Sequence, residues 1–325
     1  MAFTLITNPE QLEPSTSITN SYTLNTQVQP IAGTIRSQIF GLRRPESSKK
    51  LTLSDPAAAW GVNAGDTQSL WISSNINSLE NTFSRTAFYG ATQNVLAGYD
   101  FTRTDKYVLG ISGGYEASNF TTKFNSGNEK TGGYNLNPYF AWLISNAWSL
   151  DLIGGYGRFD TNQSRTIGGA APPAVVTVDS EFKSTRAFAS TNLTNISAFG
   201  NWKLTGSLGY LWTRRSSDGY TESDGTTTVD ASKQTSKQWN LLGELAYGAG
   251  SSETFFGARY EDIRNYQKLE LTPGDQPAND PTSFVLSAGW RYFGKGLTAS
   301  FVFTGRVGQE QVKEHGFSMV IRADI

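Results

Sequence analysis

The sequence predicts an all-β protein, a twelve-stranded antiparallel transmembrane β-barrel with a short N-terminal helix in its lumen. The first observation is that apolar and polar residues alternate from Ser69 to the C-terminus, which gives each strand one apolar and one polar face. The second is length, because the predicted strands run about twelve residues or more, against about five or six in soluble sheets and nine to eleven for a membrane crossing. The third is that short turns alternate with mostly long loops, as in outer-membrane barrels.

The composition excludes several other classes. The chain has 325 residues, 33 glycines, no cysteine and a net charge of −1. Near-neutral charge argues against a nucleic-acid binder, and the absence of cysteine excludes disulfide frameworks and thiolate metal sites. No apolar run approaches the roughly 18 residues that a transmembrane helix needs. No basic region precedes the short apolar run at the N-terminus, so no signal peptide is expected in this sequence.

The first 65 residues differ from the rest of the chain. Residues 1–29 are rich in Thr, Ser, Asn and Gln without a sustained period, which predicts an irregular segment. One short amphipathic helix is predicted from Pro30 to Arg44, where apolar residues recur at helical spacing after a proline suited to a first turn. Residues 30–65 are thus helix and linker, and residues 66–325 form the barrel.

The predicted strands end in a long C-terminal hairpin. They lie at 69–80, 87–101, 107–121, 131–144, 149–162, 180–195, 202–215, 233–249, 253–266, 282–293, 297–308 and 312–325. A last strand of this length would leave an open edge unless it pairs with the first strand, which favours closure. A barrel of this size has a lumen that side chains alone do not fill. The apolar faces should therefore point outward to lipid, which disfavours the alternative of a soluble β-sandwich.

The connections predict that the two ends of the barrel differ. Tight turns are expected at 102–106, 145–148, 196–201, 250–252 and 294–296, and long polar loops at 163–179, 216–232 and 267–281. Outer-membrane barrels have short periplasmic turns and longer extracellular loops. The loop at 216–232 carries four acidic residues, but their spacing matches no metal-binding loop, so it is interpreted as a solvated surface loop.

Several strand phrases resemble a known family. They are Leu70-Trp-Ile-Ser, Gln93-Asn-Val-Leu-Ala-Gly-Tyr-Asp-Phe, Gly110-Ile-Ser-Gly-Gly-Tyr, Asn137-Pro-Tyr-Phe-Ala-Trp and Asp151-Leu-Ile-Gly-Gly-Tyr-Gly. Together they resemble the C-terminal translocator, or β-domain, of autotransporters over about residues 66–325, and the predicted helix is similar to the pore helix of that family. The resemblance implies a barrel in the outer membrane of a Gram-negative bacterium. Such a barrel anchors an N-terminal segment and passes it across the membrane.

The resemblance also implies partners and an assembly signal. The partners would be outer-membrane lipid, the outer-membrane insertion machinery and a passenger or envelope protein. The signal read by the insertion machinery is a polar residue, a glycine and two spaced hydrophobic residues, matched here by Glu314, Gly316, Met319 and Ile321. The chain ends in Ile325, where the family usually has Phe or Trp.

Parity along the strands predicts charges in the lumen. The residues opposite in parity to the apolar face are Glu116, Asp151, Lys203, Glu244, Arg259, Glu261, Arg291, Arg306 and Arg322, with Asp324. They either select solutes and hold the helix by ion pairs, or simply pair with one another in a wet lumen.

No residue pattern predicts catalysis or cofactor binding. His315 is the one histidine, and it shares its parity with Phe317 and Met319, so it should face lipid. The neighbouring Glu314 points to the other face, so a base and its carboxylate partner do not converge. No catalytic, metal or cofactor site is predicted, and the protein is not expected to be an enzyme.

Translocation is the leading function among three non-enzymatic ones. The first alternative is a passive porin or channel in which the helix is a plug. The second is a structural barrel that scaffolds envelope partners through its long loops. A passenger upstream would favour translocation.

Overall fold

The computed structural model describes residues 3–7, 68–83, 86–104, 106–123, 125–168, 175–265, 267–271, 281–294 and 297–325. The helix predicted at residues 30–44 lies outside these ranges, as do its arginines and the linker that follows it. Among the described residues, no helix is long and apolar enough to cross a membrane.

Twelve antiparallel strands form one closed barrel, as predicted. They are β2 (Ser69–Asn81), β3 (Phe88–Arg103), β4 (Tyr107–Thr122), β5 (Asn128–Leu143), β6 (Trp148–Gly168), β7 (Val175–Phe199), β8 (Trp202–Ser217), β11 (Ser232–Ala249), β12 (Ser252–Asn265), β14 (Thr282–Phe293), β15 (Leu297–Val307) and β16 (Val312–Asp324). Each pairs with the next barrel strand along the chain, and β16 pairs with β2, where Asp324 is opposite Ser69. Closure leaves no open edge among these strands.

Among the described residues, four short strands lie outside the barrel sheet, one upstream of it and three in its connections. They are β1 (Phe3–Thr7), β9 (Tyr220–Thr221), β10 (Thr228–Val229) and β13 (Gln267–Leu271). The prediction of an irregular segment over 1–29 is wrong at β1, which pairs in parallel with β13. Phe, Thr, Leu and Ile favour strands, but the pairing partner is more than 260 positions away, so local sequence did not reveal it.

Two belts of aromatic residues surround the outer face. Six strands each carry two outward-facing aromatic residues eight positions apart: Tyr107 and Tyr115, Tyr134 and Trp142, Trp148 and Tyr156, Trp202 and Tyr210, Trp239 and Tyr247, and Phe284 and Tyr292. Eight residues span about 27 Å along a strand, which the strand tilt reduces to roughly the height of an outer-membrane apolar band. Tyr107, Trp142, Trp148, Trp202, Tyr247 and Tyr292 form the short-turn belt, and the other six residues form the long-loop belt.

Large interior side chains lie flat over glycines of the neighbouring strand. In six register pairs a buried aromatic ring sits opposite a glycine: Trp71 and Gly98, Phe120 and Gly90, Tyr139 and Gly110, Phe159 and Gly133, Phe188 and Gly155, and Phe255 and Gly289. A Cβ atom on any of these glycines would overlap the ring. The rings thus line the wall, and only glycine leaves room for them.

Three loop predictions need correction. The predicted loop at 267–281 begins with a strand, β13. The predicted loop at 163–179 is largely strand, because β6 and β7 stay paired as far as Gly168 and Val175. The polar alternation there continues past the membrane-facing part, so the hairpin extends beyond the barrel. The loop at 216–232 is not wholly solvated either, because it contains the β9–β10 hairpin and a buried Glu222.

Candidate functional site

The barrel interior is polar, and the structure turns toward it all ten charges selected by parity, including Asp324, which accepts from the buried Arg322. Glu116, Asp151, Lys203, Glu261, Arg306 and Arg322 are buried, and Glu244, Arg259 and Arg291 have side chains 11–16 % exposed. Burying an unpaired charge is costly. The stability of the barrel therefore depends on the oppositely charged partners of these side chains.

A first ion-pair network joins β8, β11, β12 and β14. Arg291 donates to Glu244 at 2.8 Å and to Glu253 at 2.7 Å, and Glu253 also pairs with Lys203. The Arg291 guanidinium lies 3.7 Å from the Phe255 ring centre. Two carboxylates and two cations thus balance one another within the wall.

A second network joins β12, β15 and β16. Glu261 accepts from Arg259 and from Arg306, each at 2.7 Å. Arg306 also donates to Glu314 at 2.8 Å. Because β12 and β15 are separated by β14, the Arg306–Glu261 pair spans β14, where Arg306 also donates to Ser283.

A third ion pair lies on the opposite side of the interior. Arg186 on β7 donates to Glu116 on β4, with the closest atoms 3.0 Å apart, and its guanidinium lies 4.2 Å from the Phe159 ring centre. Arg215 on β8 is buried nearby, and its Nε and Nη2 atoms have no hydrogen-bond partner among the described residues. This part of the wall therefore contains two arginines, of which only Arg186 takes part in the ion pair with Glu116.

Arg322 marks the seam where the last strand meets the first. It donates to Ser69 at 3.0 Å and to Asp324 at 2.7 Å. Ser69 in turn donates to Asp100, which also accepts a hydrogen bond from Tyr139. The network thus joins β16, β2, β3 and β5 at the short-turn end of the barrel, where β2 begins and β16 ends.

Neutral amides and hydroxyls line β2 to β5. Their buried members include Ser73, Asn75, Asn77, Thr92, Asn94, Ser112, Asn135 and Asn137. Asn137 donates to Asn135 at 2.7 Å, but both side-chain atoms of Asn94 lack a partner among the described residues. We call this surface the amide wall, and the interior of β11 to β16 the ion-paired wall.

At the long-loop end, the β8–β11 connection folds onto the inner face of the β6–β7 hairpin. Glu222 accepts two hydrogen bonds from Arg165, at 2.9 and 2.6 Å, and both side chains are buried. Tyr220 stacks on Phe182 with ring centres 4.9 Å apart. Nearby, hydrogen bonds from the backbone amides of Thr227 and then Thr226 hold the pKa of Asp224 below its usual range.

Upstream of the first barrel strand, the structure describes β1 and Gln68, and these lie at opposite ends of the barrel. Gln68 accepts from the backbone amide of Ile325 at 3.0 Å and from the Tyr99 hydroxyl, both at the short-turn end. In contrast, β1 pairs with β13, which continues from β12 at the long-loop end.

The four assembly-signal residues divide between the two faces of β16. Glu314 and Gly316 point inward, where Glu314 binds Arg306 and Gly316 lies against Asn77. Met319 and Ile321 share the outward parity of Phe317 and of His315. Among the described residues, no group of three His, Cys, Asp or Glu side chains could hold a metal ion.

Sequence reasoning missed several interior charges. Glu253 has the same parity on its strand as Arg259 and Glu261, and Arg186 and Asp100 also follow the inward parity of β7 and β3. Consistent use of parity would have found all three. Arg165 and Glu222 meet only through loop folding, which no local pattern reveals.

A family model for the autotransporter beta-domain matches residues 70–253, which is more than half of the chain. The chain belongs to the autotransporter β-domain family. It is an outer-membrane β-barrel of the translocator type, as the strand phrases implied. Comparison with curated protein sequences gave no match.

Solved autotransporter structures share the fold. The translocator domain of NalP from Neisseria meningitidis is 14% identical with a TM-score of 0.66, over 80% of this chain and 88% of that one. The beta domain of the Bordetella autotransporter BrkA is 17% identical with a TM-score of 0.64, over 80% and 100%. The transport unit of AIDA-I from Escherichia coli is 14% identical with a TM-score of 0.55, over 90% and 98%.

Proposed function

We propose that this autotransporter β-domain holds the part of its own chain between Thr7 and Gln68 across the outer membrane, and so anchors and exposes its N-terminal side. The observation that carries the proposal is the placement of the two ends of that part, Thr7 in β1 beside β13 and Gln68 beside Ile325. Short turns face the periplasm in such barrels. In this proposal β1 lies on the outer side of the membrane, and the chain reaches the periplasmic side before β2.

The barrel interior is the path that we propose for this crossing. A polypeptide in a membrane needs partners for its backbone N–H and C=O groups. The outer face offers apolar side chains between the two aromatic belts, whereas the interior offers amides and hydroxyls. The charges of the ion-paired wall bind one another, so they would not trap a passing segment by unsatisfied charge.

We also propose that this mechanism includes no bond chemistry and two protein partners. One is a passenger or envelope protein continuous with the exposed N-terminal side. The other is the outer-membrane insertion machinery, which would read β16 through Glu314, Gly316, Met319 and Ile321. The inward-facing pair contacts the barrel interior, and the outward-facing pair stays accessible on the lipid face.

Cysteine labelling tests the crossing, because the chain has no native cysteine. Thr7→Cys and Gln68→Cys are each exposed to a membrane-impermeant maleimide, first on intact cells and then after the outer membrane is permeabilised. We expect Thr7→Cys to react on intact cells and Gln68→Cys to react only after permeabilisation. Thr226→Cys in the β9–β10 hairpin and Ser251→Cys in a short turn are the matched controls for the two sides.

The opposite result for the N-terminal position would contradict the proposal. If Thr7→Cys stays unlabelled on intact cells while Thr226→Cys reacts, the N-terminal side lies in the periplasm. The barrel would then act as a channel or scaffold.

A further inference from the structure

A groove lies on the outer face of β2 to β6, on the long-loop side of the long-loop belt. Its volume is 1220 Å³. Three small residues on successive strands, Ala91, Ala117 and Gly132, form its floor. Tyr115 and Tyr134, with ring centres 5.0 Å apart, form its edge toward the membrane. The groove therefore begins where the apolar band of the barrel ends.

The small residues of the floor interrupt the pattern seen elsewhere on the barrel. On the opposite side, long side chains occupy the outward positions at this end of the strands. Trp212, Lys237 and Arg264 lie there in register across β8, β11 and β12. The concavity therefore comes from a local loss of side-chain volume over three strands.

The rim of the groove carries cations beside amides. Lys130 and Arg158 are exposed and line it, and Lys130 is in register with Asn119 and Asn162. Among the described side chains, no carboxylate lies within ion-pair distance of either cation. This differs from the arginines of the ion-paired wall, which are all bound to carboxylates.

Two carboxylates also line the groove but do not cancel its cations. Glu80 is bound by Lys123 at 3.0 Å and lies 4.0 Å from Lys313. Lys123 in turn lies 5.5 Å from the Tyr89 ring centre. Asp160 is the second carboxylate, so two cations and two carboxylates line the groove. Lys123 and Lys313, which lie outside the lining, offset the charge of Glu80.

We propose that this groove binds the headgroup of a phosphorylated glycolipid of the outer leaflet. Lys130 and Arg158 suit phosphate oxygens, and the amides of Asn119 and Asn162 can pair with sugar hydroxyls. The groove exceeds the roughly 300–1,000 Å³ of drug-sized ligand pockets, so it has room for more than one sugar ring. The acyl chains would lie over the outward apolar surface on the membrane side of Tyr115.

The level of the groove in the membrane favours a glycolipid over a protein partner. Aromatic belts mark the level of the lipid headgroups, and the groove adjoins the belt that faces the outer leaflet. A ligand held there remains in the membrane, in contact with lipid below and loops above. This binding does not depend on translocation through the lumen, so either proposal can fail alone.

Native mass spectrometry of the full chain in detergent micelles tests the site, with diphosphoryl lipid A as the titrated probe. The double variant Lys130→Ala with Arg158→Ala should bind about a hundredfold more weakly, because each of the two charge-assisted contacts contributes about a factor of ten. The control is Lys237→Ala with Arg264→Ala, which removes the same charge from the outer face of β11 and β12. Its affinity should match that of the unchanged chain.

A second variant fills the groove without changing its charge. Ala117→Trp should also lose binding, provided that heat-modifiable migration shows an assembled barrel; if it does not assemble, the double variant decides. Equal affinity of the double variant and the unchanged chain would overturn the site. Equal affinity for phosphatidylglycerol and lipid A would overturn the glycolipid assignment.

Discussion

The amide wall and the ion-paired wall face each other across one interior, yet they treat polar groups differently. On the ion-paired wall, Glu261 and Arg306 are almost completely buried and each has two charged partners. On the amide wall, the side-chain N and O atoms of Asn94 are buried with no hydrogen-bond partner among the described residues. The carboxylates and arginines of the ion-paired wall bind one another, whereas Asn94 on the amide wall keeps both of its polar atoms available for a further partner.

The difference follows from the cost of burial. A buried charge without a partner is far more costly than an unpaired amide, which is why the carboxylates and arginines of the ion-paired wall lie against one another. Side-chain amides can stay unpaired at a smaller cost in free energy, and they can then form hydrogen bonds with another polypeptide segment. We infer that the ion-paired wall holds the barrel together and that the amide wall is the side better suited to contact a polypeptide.

Breaking the ion-paired wall should have the largest effect. Glu261→Ala leaves Arg259 and Arg306 without their shared carboxylate, and loss of one partner from a buried pair costs about 3–5 kcal/mol. We expect a loss of that size in the free energy of unfolding, measured by urea titration in lipid vesicles. Asp262→Ala, the adjacent residue, removes an exposed ion pair with Arg264 and should cost at most about 1 kcal/mol. Equal losses would show that burial does not distinguish the two pairs.

Overpacking the amide side should have an intermediate effect. Gly110→Ala places a methyl group against the Tyr139 ring, and this tyrosine also donates to Asp100 in the seam network. Overpacking costs about 1–3 kcal/mol, so we expect lower stability and a smaller folded fraction on unheated gels. Gly206→Ala meets no atom within 4 Å and is the control. If both variants fold equally well, the rings are not confined by the glycines.

Removing an unpaired amide should have the smallest effect. Asn94→Ala deletes two polar atoms that have no partner among the described residues, so we expect a stability change below about 0.5 kcal/mol. Asn137→Ala, which removes the bond to Asn135, should cost about 1 kcal/mol. The same urea titration measures both. A large loss for Asn94→Ala would mean that the amide wall is as saturated as the ion-paired wall.

Much of the fold was predictable because one period governs it. The predicted strand at 107–121 matches β4, and the one at 282–293 coincides with β14. The main errors fall at β6 and β7, which extend beyond the region where lipid demands an apolar face. There the alternation continues in polar residues such as Arg165 and Thr177, which resemble a loop composition.

For the interior charges, the sequence predicts which face of the sheet each side chain lies on, but not which side chain it binds. Parity along β12 indicates that Arg259 and Glu261 point inward, but not that Glu261 binds Arg306, which is 45 positions away. It gives no sign that Arg165 meets Glu222 across 57 positions. Such pairs depend on strand stagger and on loop folding, which local sequence does not encode.

The sequence by itself determined which side chains face lipid and which face the interior, because strand side chains alternate and lipid accepts only apolar groups between the belts. Only the tertiary structure decided which interior groups pair, since closing β16 onto β2 sets the stagger of the strands around the barrel. That stagger brings Arg306 to Glu261 and leaves Asn94 without a hydrogen-bond partner among the described residues. The same closure places Gln68 at the short-turn end, where its backbone carbonyl accepts from the amide of Ile325.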